Sequence, residues 1–281
     1  MDAAVDLASG KGSGDENFPV ASFLLKPEHR APVMSFYRFA RAADDVSDHP
    51  TAPADEKLRL LEDMRDGLRG RPGGASEALA LRDVMASHEL DPIHAFELID
   101  AFEQDVRVTR YANWDELIGY CRLSAMPVGR YVLDVHGEDR SSWPASDALC
   151  AALQVINHLQ DCGKDYRALD RVYIPAETFA ATGARIEDLG ATAASPALLA
   201  AIRALAQRTL RLLGQSDRFA GLIHDRRLSA EVAIIQRLAM SLTHRLLERD
   251  PLSERVHHGK GEAALLSIGA VLSNLFRKRP A

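Results

Sequence analysis

A chain of 281 residues, 47% hydrophobic and 26% charged, has an ordinary folded composition and enough length to bury a substantial core. Its formal net charge of −6 gives no electrostatic footprint for nucleic acid. No apolar run reaches the roughly 20 residues that cross a bilayer, and Cys121, Cys150 and Cys162 show neither CxxC spacing nor a paired framework, which points to a reduced, cytoplasmic setting.

Met1–Gly14 is small, polar and glycine-rich, with no basic segment ahead of an apolar one, and reads as a flexible lead-in to a single domain over residues 15–281. Lys11-Gly12-Ser13-Gly14 lacks the spacing and the preceding strand of a phosphate loop. Pro27 suits a first turn, and Val33, Phe36, Tyr37, Phe39 and Ala40 predict a helix from Glu28 to Val46, with Pro50 and Pro53 beyond it. Helices are predicted next at about Asp55–Leu68, Ser76–Ser87 and Pro92–Arg107. Asn113 can cap Trp114–Ser124, and Pro127 starts or bends a segment through Val135. Ser142-Trp143-Pro144 opens a long helix that Val172-Tyr173-Ile174-Pro175 closes, and Ala197–Phe219 and Ser229–Leu247 follow as amphipathic helices. With strand and hairpin signals scarce, the fold class is all-α. The last segment, Ala263–Phe276, is apolar and runs into Arg277-Lys278-Arg279. It reads either as a terminal helix packed on the core or as a helix lying on a membrane surface.

Two acidic stretches stand out. Asp44 and Asp48, and again Asp161 and Asp165, are four residues apart, so each pair projects from one face of its helix. Like charges at that spacing destabilise a helix by about 0.2–0.5 kcal/mol, and a hard divalent cation would offset the repulsion. Both pairs sit in apolar sequence, which predicts an interior setting. Arg38, Arg41, Lys164, Arg167 and Arg171 lie within a turn or two and suit phosphate oxygens. Magnesium held by one or two carboxylates plus substrate phosphates would assist departure of a diphosphate and ionisation of a carbon–oxygen bond. The plainer reading is two solvated acidic faces, and the residues alone leave the two nearly balanced. A di-iron carboxylate bundle needs two Glu-x-x-His motifs, and Glu254–His257 supplies one.

Tyr37-Arg38-Phe39-Ala40-Arg41-Ala42-Ala43-Asp44-Asp45-Val46-Ser47-Asp48 matches a Tyr…Arg-x-x-Asp-Asp-x-x-Asp signature. A second match runs from Gln154 through Asn157, Asp161 and Asp165 to Arg171-Val172-Tyr173-Ile174-Pro175, and a third covers Tyr120 to Gly129. In these residues the chain resembles the squalene and phytoene synthase family of head-to-head prenyl synthases, from about Asn17 to Val256. The resemblance implies an isoprenoid-synthase helical bundle with a central cavity. It implies magnesium held by Asp44, Asp48, Asp161 and Asp165, with Asn157 supporting the second pair. Arg41, Gln154, Lys164 and Arg171 would handle diphosphate, and Arg255 matches a late family arginine. Tyr37, Tyr120 and Tyr173 would line the reaction chamber, with Phe18 as an apolar wall; Asp105, Arg107 and Tyr111 fall in a family-like stretch whose role could be purely structural. His158 reads as a packing or hydrogen-bonding residue.

Asp15-Glu16-Asn17-Phe18 replaces the family's Ser-x-Ser-Phe, Ala125-Met126-Pro127 replaces an Ala-Gly pair, and Lys164 replaces an acidic residue. These departures resemble the hopanoid-pathway branch, which ionises presqualene diphosphate and lets water capture the cation as hydroxysqualene, with no NADPH. The alternatives are condensation of two prenyl diphosphates to presqualene diphosphate, squalene or phytoene, and a catalytically silent assembly protein. The resemblance implies a prenyl or triterpenoid diphosphate substrate, with other hopanoid-pathway enzymes and a peripheral membrane as further contacts.

Overall fold

The computed structural model describes residues 25–276. The lead-in Met1–Gly14, the Asp15–Phe18 stretch and Arg277-Lys278-Arg279 lie outside the described residues. The chain divides into two compact units: one ends at Val108 and takes back Pro127–Glu138, and the other comprises Thr109–Met126 and the chain from Asp139.

The first unit contains α1 (Pro27–Asp48), α2 (Ala54–Leu68), α3 (Ser76–Ser87), α4 (Ile93–Arg107) and most of α6 (Met126–Val135). Pro27 occupies the first turn of α1, where a missing N–H costs nothing. The helix continues through the whole acidic motif to Asp48, past the predicted end at Val46, and Pro50 and Pro53 follow it. Val33, Phe36, Phe39, Ala43 and Val46, spaced three and four apart, bury one stripe of α1. Leu60, Leu61 and Met64 of α2, Leu81 and Met85 of α3, and Leu98 and Ile99 of α4 meet that stripe. Phe39, Leu61 and Ile99 are fully buried, each contributing roughly 1.5–3 kcal/mol of apolar burial. Tyr131 of α6 stacks on Phe36 with centroids 4.0 Å apart and its hydroxyl donates to the Pro32 carbonyl at 3.3 Å. The α2–α3 turn is tight: a Cβ on Gly74 would lie 2.4 Å from the Cα of Gly67.

The second unit contains α5 (Trp114–Ser124), α7 (Trp143–Leu169), α8 (Ala176–Thr182), α9 (Pro196–Gln215), α10 (Phe219–Leu222), α11 (Arg226–Glu248) and α12 (Lys260–Leu275). Asn113 caps α5 as expected, its side-chain oxygen accepting from Glu116 N at 2.9 Å. The 27-residue α7 packs on α5, α9 and α11, and ends where Asp170 turns left-handed at φ 51°. The stretch expected as one helix over Ala197–Phe219 breaks after Gln215, where the Ser216 hydroxyl bonds the Leu213 carbonyl and the Gln236 side-chain oxygen. α11 begins before the predicted Ser229 because the Asp225 carboxylate accepts from the N–H groups of Arg227 and Leu228. The short α8 was not expected. No strand occurs among the described residues, where extended pairing is limited to a lone parallel bridge between Arg110 and Val172.

The terminal segment forms α12. It packs along α11, with Asn274 donating to Ser229 Oγ at 3.1 Å and Arg245 paired to Glu262. Yet Leu265, Ile268, Leu272, Leu275 and Phe276 stay exposed, Leu265 at 73% and Phe276 at 86%. Among the described residues no helix is long and apolar enough to cross a membrane.

Candidate active site

The first acidic motif is presented by the C-terminal half of α1. Residues 41, 44 and 48 fall along one face, and the Arg41 guanidinium grips that face from one turn earlier. Its Nη1 donates to Asp44 Oδ2 at 2.6 Å and its Nη2 to Asp45 Oδ1 at 2.5 Å. Asp45 is buried, whereas 34% of the Asp44 side chain is open, short of the interior setting predicted for it. The Asp44 carboxyl is pushed up to about 7, first by burial and next by the Asp48 charge, against the pull of Arg41; buried Asp105 and Asp45 add to the rise. Ser47 bonds Asp48 at 3.4 Å. Tyr37 is half-buried one turn earlier, and Arg38 is exposed.

The second motif lies on α7. Counting about 100° per residue, Gln154, Asn157, His158, Asp161 and Asp165 share one face. Asp161 is 41% open and Lys164 is 62% open, with 4.0 Å between the lysine Nζ and an Asp161 oxygen. Asn157, Gln154 and Asp165 are half-buried. The predicted cations separate. Arg171 is buried just beyond the left-handed Asp170. Arg167 turns to the Leu189 carbonyl at 3.3 Å. Arg255 lies exposed in the loop after α11 and donates to the His258 carbonyl at 3.3 Å.

Beneath this face sits an aromatic cluster. Tyr111, Tyr120 and Tyr173 lie with centroids 5.6 to 5.9 Å apart, and the His158 imidazole stacks on Tyr173 at 3.4 Å and 12°. Tyr120 and Tyr173, expected to line a reaction chamber, stand together here with Tyr111. Stacked π faces in a dry setting attract a cation. His158 is held neutral: burial, and then the Arg171 charge, push its pKa down to about 3. Burial also pushes the Cys121 and Cys162 thiols up to about 12, so neither is a nucleophile.

Sequence reasoning passed over Asp45, Tyr111 and His158 as working parts of these clusters. Asp45 carried a signal, standing four residues after Arg41. His158 carried another, lying between Gln154 and Asp161 on one helical face.

The donor chemistry fits magnesium. Among the described residues no three His, Cys, Asp or Glu side chains converge on a metal position. The fit rests on the carboxylate pairs themselves, Asp44 with Asp48 and Asp161 with Asp165, since magnesium is commonly held by one or two carboxylates and takes its other oxygens from waters and substrate phosphates. The Asp44 carboxyl is raised first by burial and next by the Asp48 charge, and a cation beside it would favour its ionised form.

The squalene/phytoene synthase profile matches residues 12–262. A hydroxysqualene synthase of Zymomonas mobilis is 54% identical over 97% of this chain and 93% of its own length. A hydroxysqualene synthase of Rhodopseudomonas palustris is 50% identical over 99% of this chain and 95% of its own. The crystal structure of squalene synthase HpnC from Alicyclobacillus acidocaldarius superposes with a TM-score of 0.71 at 30% identity, covering 86% of this chain and 90% of that one. A dehydrosqualene synthase structure shares the fold, with a TM-score of 0.80 at 21% identity over 97% of this chain and 96% of that one.

Proposed function

The chain belongs to the squalene/phytoene synthase family, and from that premise we propose that it converts presqualene diphosphate to hydroxysqualene and diphosphate with magnesium and without a nicotinamide. The observation that carries this reading is near-full-length similarity to hydroxysqualene synthases in a chain that keeps both aspartate pairs. Asp44 and Asp48 on α1, and Asp161 and Asp165 on α7 with Asn157 beside them, are the groups that hold metal. Bound magnesium supplies charge neutralisation for the departing diphosphate.

The chain's own residues do the rest. Arg41 exchanges its bond to Asp44 for a diphosphate oxygen, while its second bond, to buried Asp45, keeps the guanidinium in place. Arg171 and Lys164 add positive charge beside the second pair, and Gln154 donates from the same face of α7. Tyr120 and Tyr173 turn aromatic surface toward the carbocation that ionisation leaves. Arg255, which bonds within its own loop, is given no part in this step.

The test is incubation of the purified protein with magnesium and no nicotinamide, separately with farnesyl diphosphate and with presqualene diphosphate. Hydroxysqualene from presqualene diphosphate, with farnesyl diphosphate untouched, is the expected result. Presqualene diphosphate or phytoene-type products from prenyl diphosphates would assign the chain to condensation. Absence of diphosphate release from both would make it a silent member of the family.

A C30 alcohol belongs in lipid, and we infer a contact to match: the exposed apolar face of α12 lies on an anionic bilayer. The face presents Leu265, Ile268, Leu272 and Leu275 at helical spacing, and the sequence goes on to Arg277-Lys278-Arg279, of the charge that anionic headgroups attract.

A further inference from the structure

We propose that His158 holds the water that captures the substrate cation, making the product an alcohol and not a hydrocarbon. The inference rests on the hydroxysqualene-forming reading above and assigns a residue to its last step.

A carbocation in an apolar chamber loses a proton to become an alkene unless a water stands at the right carbon. Such a water needs a polar partner inside the chamber. On the face of α7 that carries Gln154, Asn157, Asp161 and Asp165, His158 is the buried residue, 9% exposed. Its ring lies flat against Tyr173 and 5.9 Å from Tyr120, so it is built into the aromatic surface where the cation is stabilised. Its Nε2 is buried and meets no hydrogen-bond partner among the described residues.

That orphaned nitrogen is what separates a working residue from a packing one. Leaving a buried polar atom unsatisfied costs about 1–3 kcal/mol, and a phenyl ring would stack on Tyr173 without that cost. A group kept at such a cost is explained when a water completes it. In the neutral tautomer protonated on Nδ1, Nε2 is an acceptor.

The step balances. Nε2 accepts one O–H of the water, which turns an oxygen lone pair toward the cationic carbon. The lone pair forms the carbon–oxygen bond, and the other O–H releases its proton to the diphosphate freed in the same turnover. The products are the secondary allylic alcohol and hydrogen diphosphate, with no oxidant or reductant consumed.

The experiment compares wild type, His158→Phe and His158→Gln on presqualene diphosphate with magnesium in 18O-labelled water, reading diphosphate release and the organic products separately. In His158→Phe, diphosphate release should continue while the share of 18O-labelled hydroxysqualene falls at least tenfold in favour of proton-loss hydrocarbons. His158→Gln, which keeps a side-chain acceptor, should recover most of the alcohol. Should His158→Phe fail to fold by circular dichroism, His158→Met against His158→Gln poses the same contrast at similar volume. An unchanged alcohol share in Phe or Met, or equal loss in Gln and Met, overturns the inference while the function stands. Wild-type protein that makes no hydroxysqualene overturns the function and the inference with it.

Discussion

Arg41 donates to Asp44 and Asp45 at once, at 2.6 and 2.5 Å, so the cation of the first motif is committed to the motif's own carboxylates. If Asp44 holds magnesium as proposed, one arm of the Arg41 guanidinium would be free for a phosphate oxygen, and metal and diphosphate binding would be linked through one side chain.

The raised Asp44 carboxyl makes that linkage sensitive to pH. Its pKa is about 7 in the fold against 3.8 for the free group, so its favourable contribution is full below 3.8 and is lost as pH rises through 7. In EDTA, therefore, Asp44→Asn should gain melting temperature relative to wild type at pH 8 and not at pH 4. Magnesium needs the carboxylate, so its apparent affinity should climb toward tenfold per pH unit from 5 to 7 and level off above. Thermal-shift titrations with magnesium measure both. A pH-independent difference between wild type and variant would refute the assignment.

Asp161→Ala should reduce turnover at least a hundredfold with the fold intact, because it removes a carboxylate from the pair on α7 proposed to hold metal. Steady-state diphosphate release and circular dichroism together check this. A near-normal rate would remove Asp161 from the metal set.

His158 gives a second pH signature, opposite in sign. Its pKa is about 3 in the fold and 6.5 when free, so below 6.5 the unfolded chain takes up a proton that the folded chain refuses. Stability contributed by the neutral ring is lost as pH falls from 6.5 toward 3. Urea midpoints between pH 7 and 4.5 should decline more steeply in wild type than in His158→Phe, and parallel slopes would contradict the burial of the neutral ring.

Gly74→Ala tests the first unit apart from any chemistry. The added methyl would stand 2.4 Å from both the Cα and the N of Gly67, contacts that backbone must move to relieve. A destabilisation of about 1–3 kcal/mol is expected, visible as a lower chemical-denaturation midpoint.

The apolar face of α12 predicts sedimentation with vesicles. Protein should pellet with vesicles containing phosphatidylglycerol more than with neutral ones, and Leu265→Ser with Leu272→Ser should lower binding at least tenfold, since each buried leucine contributes about 1.5–3 kcal/mol. Concentration-dependent dimers by analytical ultracentrifugation, without vesicle binding, would assign the face to a second copy.

Much of this protein is local and therefore legible in its residues. The stripe on α1, the Asn113 cap, the prolines around Asp48 and the two aspartate pairs all act within a few residues, and helical periodicity alone sets which side chains share a face. One helix end it misses is decided at longer range: α9 stops where Ser216 reaches Gln236 of α11, a contact no window on α9 contains. Which side chains are spent and which are left unsatisfied is likewise tertiary. Residue types make His158 a filler, but Tyr173, brought back past the left-handed Asp170, covers its ring, and its Nε2 is left unpaired. Burial depends on every neighbour at once. The pattern along the chain thus determined the helices and the acidic pairs, and only their packing decided what each charge and each ring has left to offer a substrate.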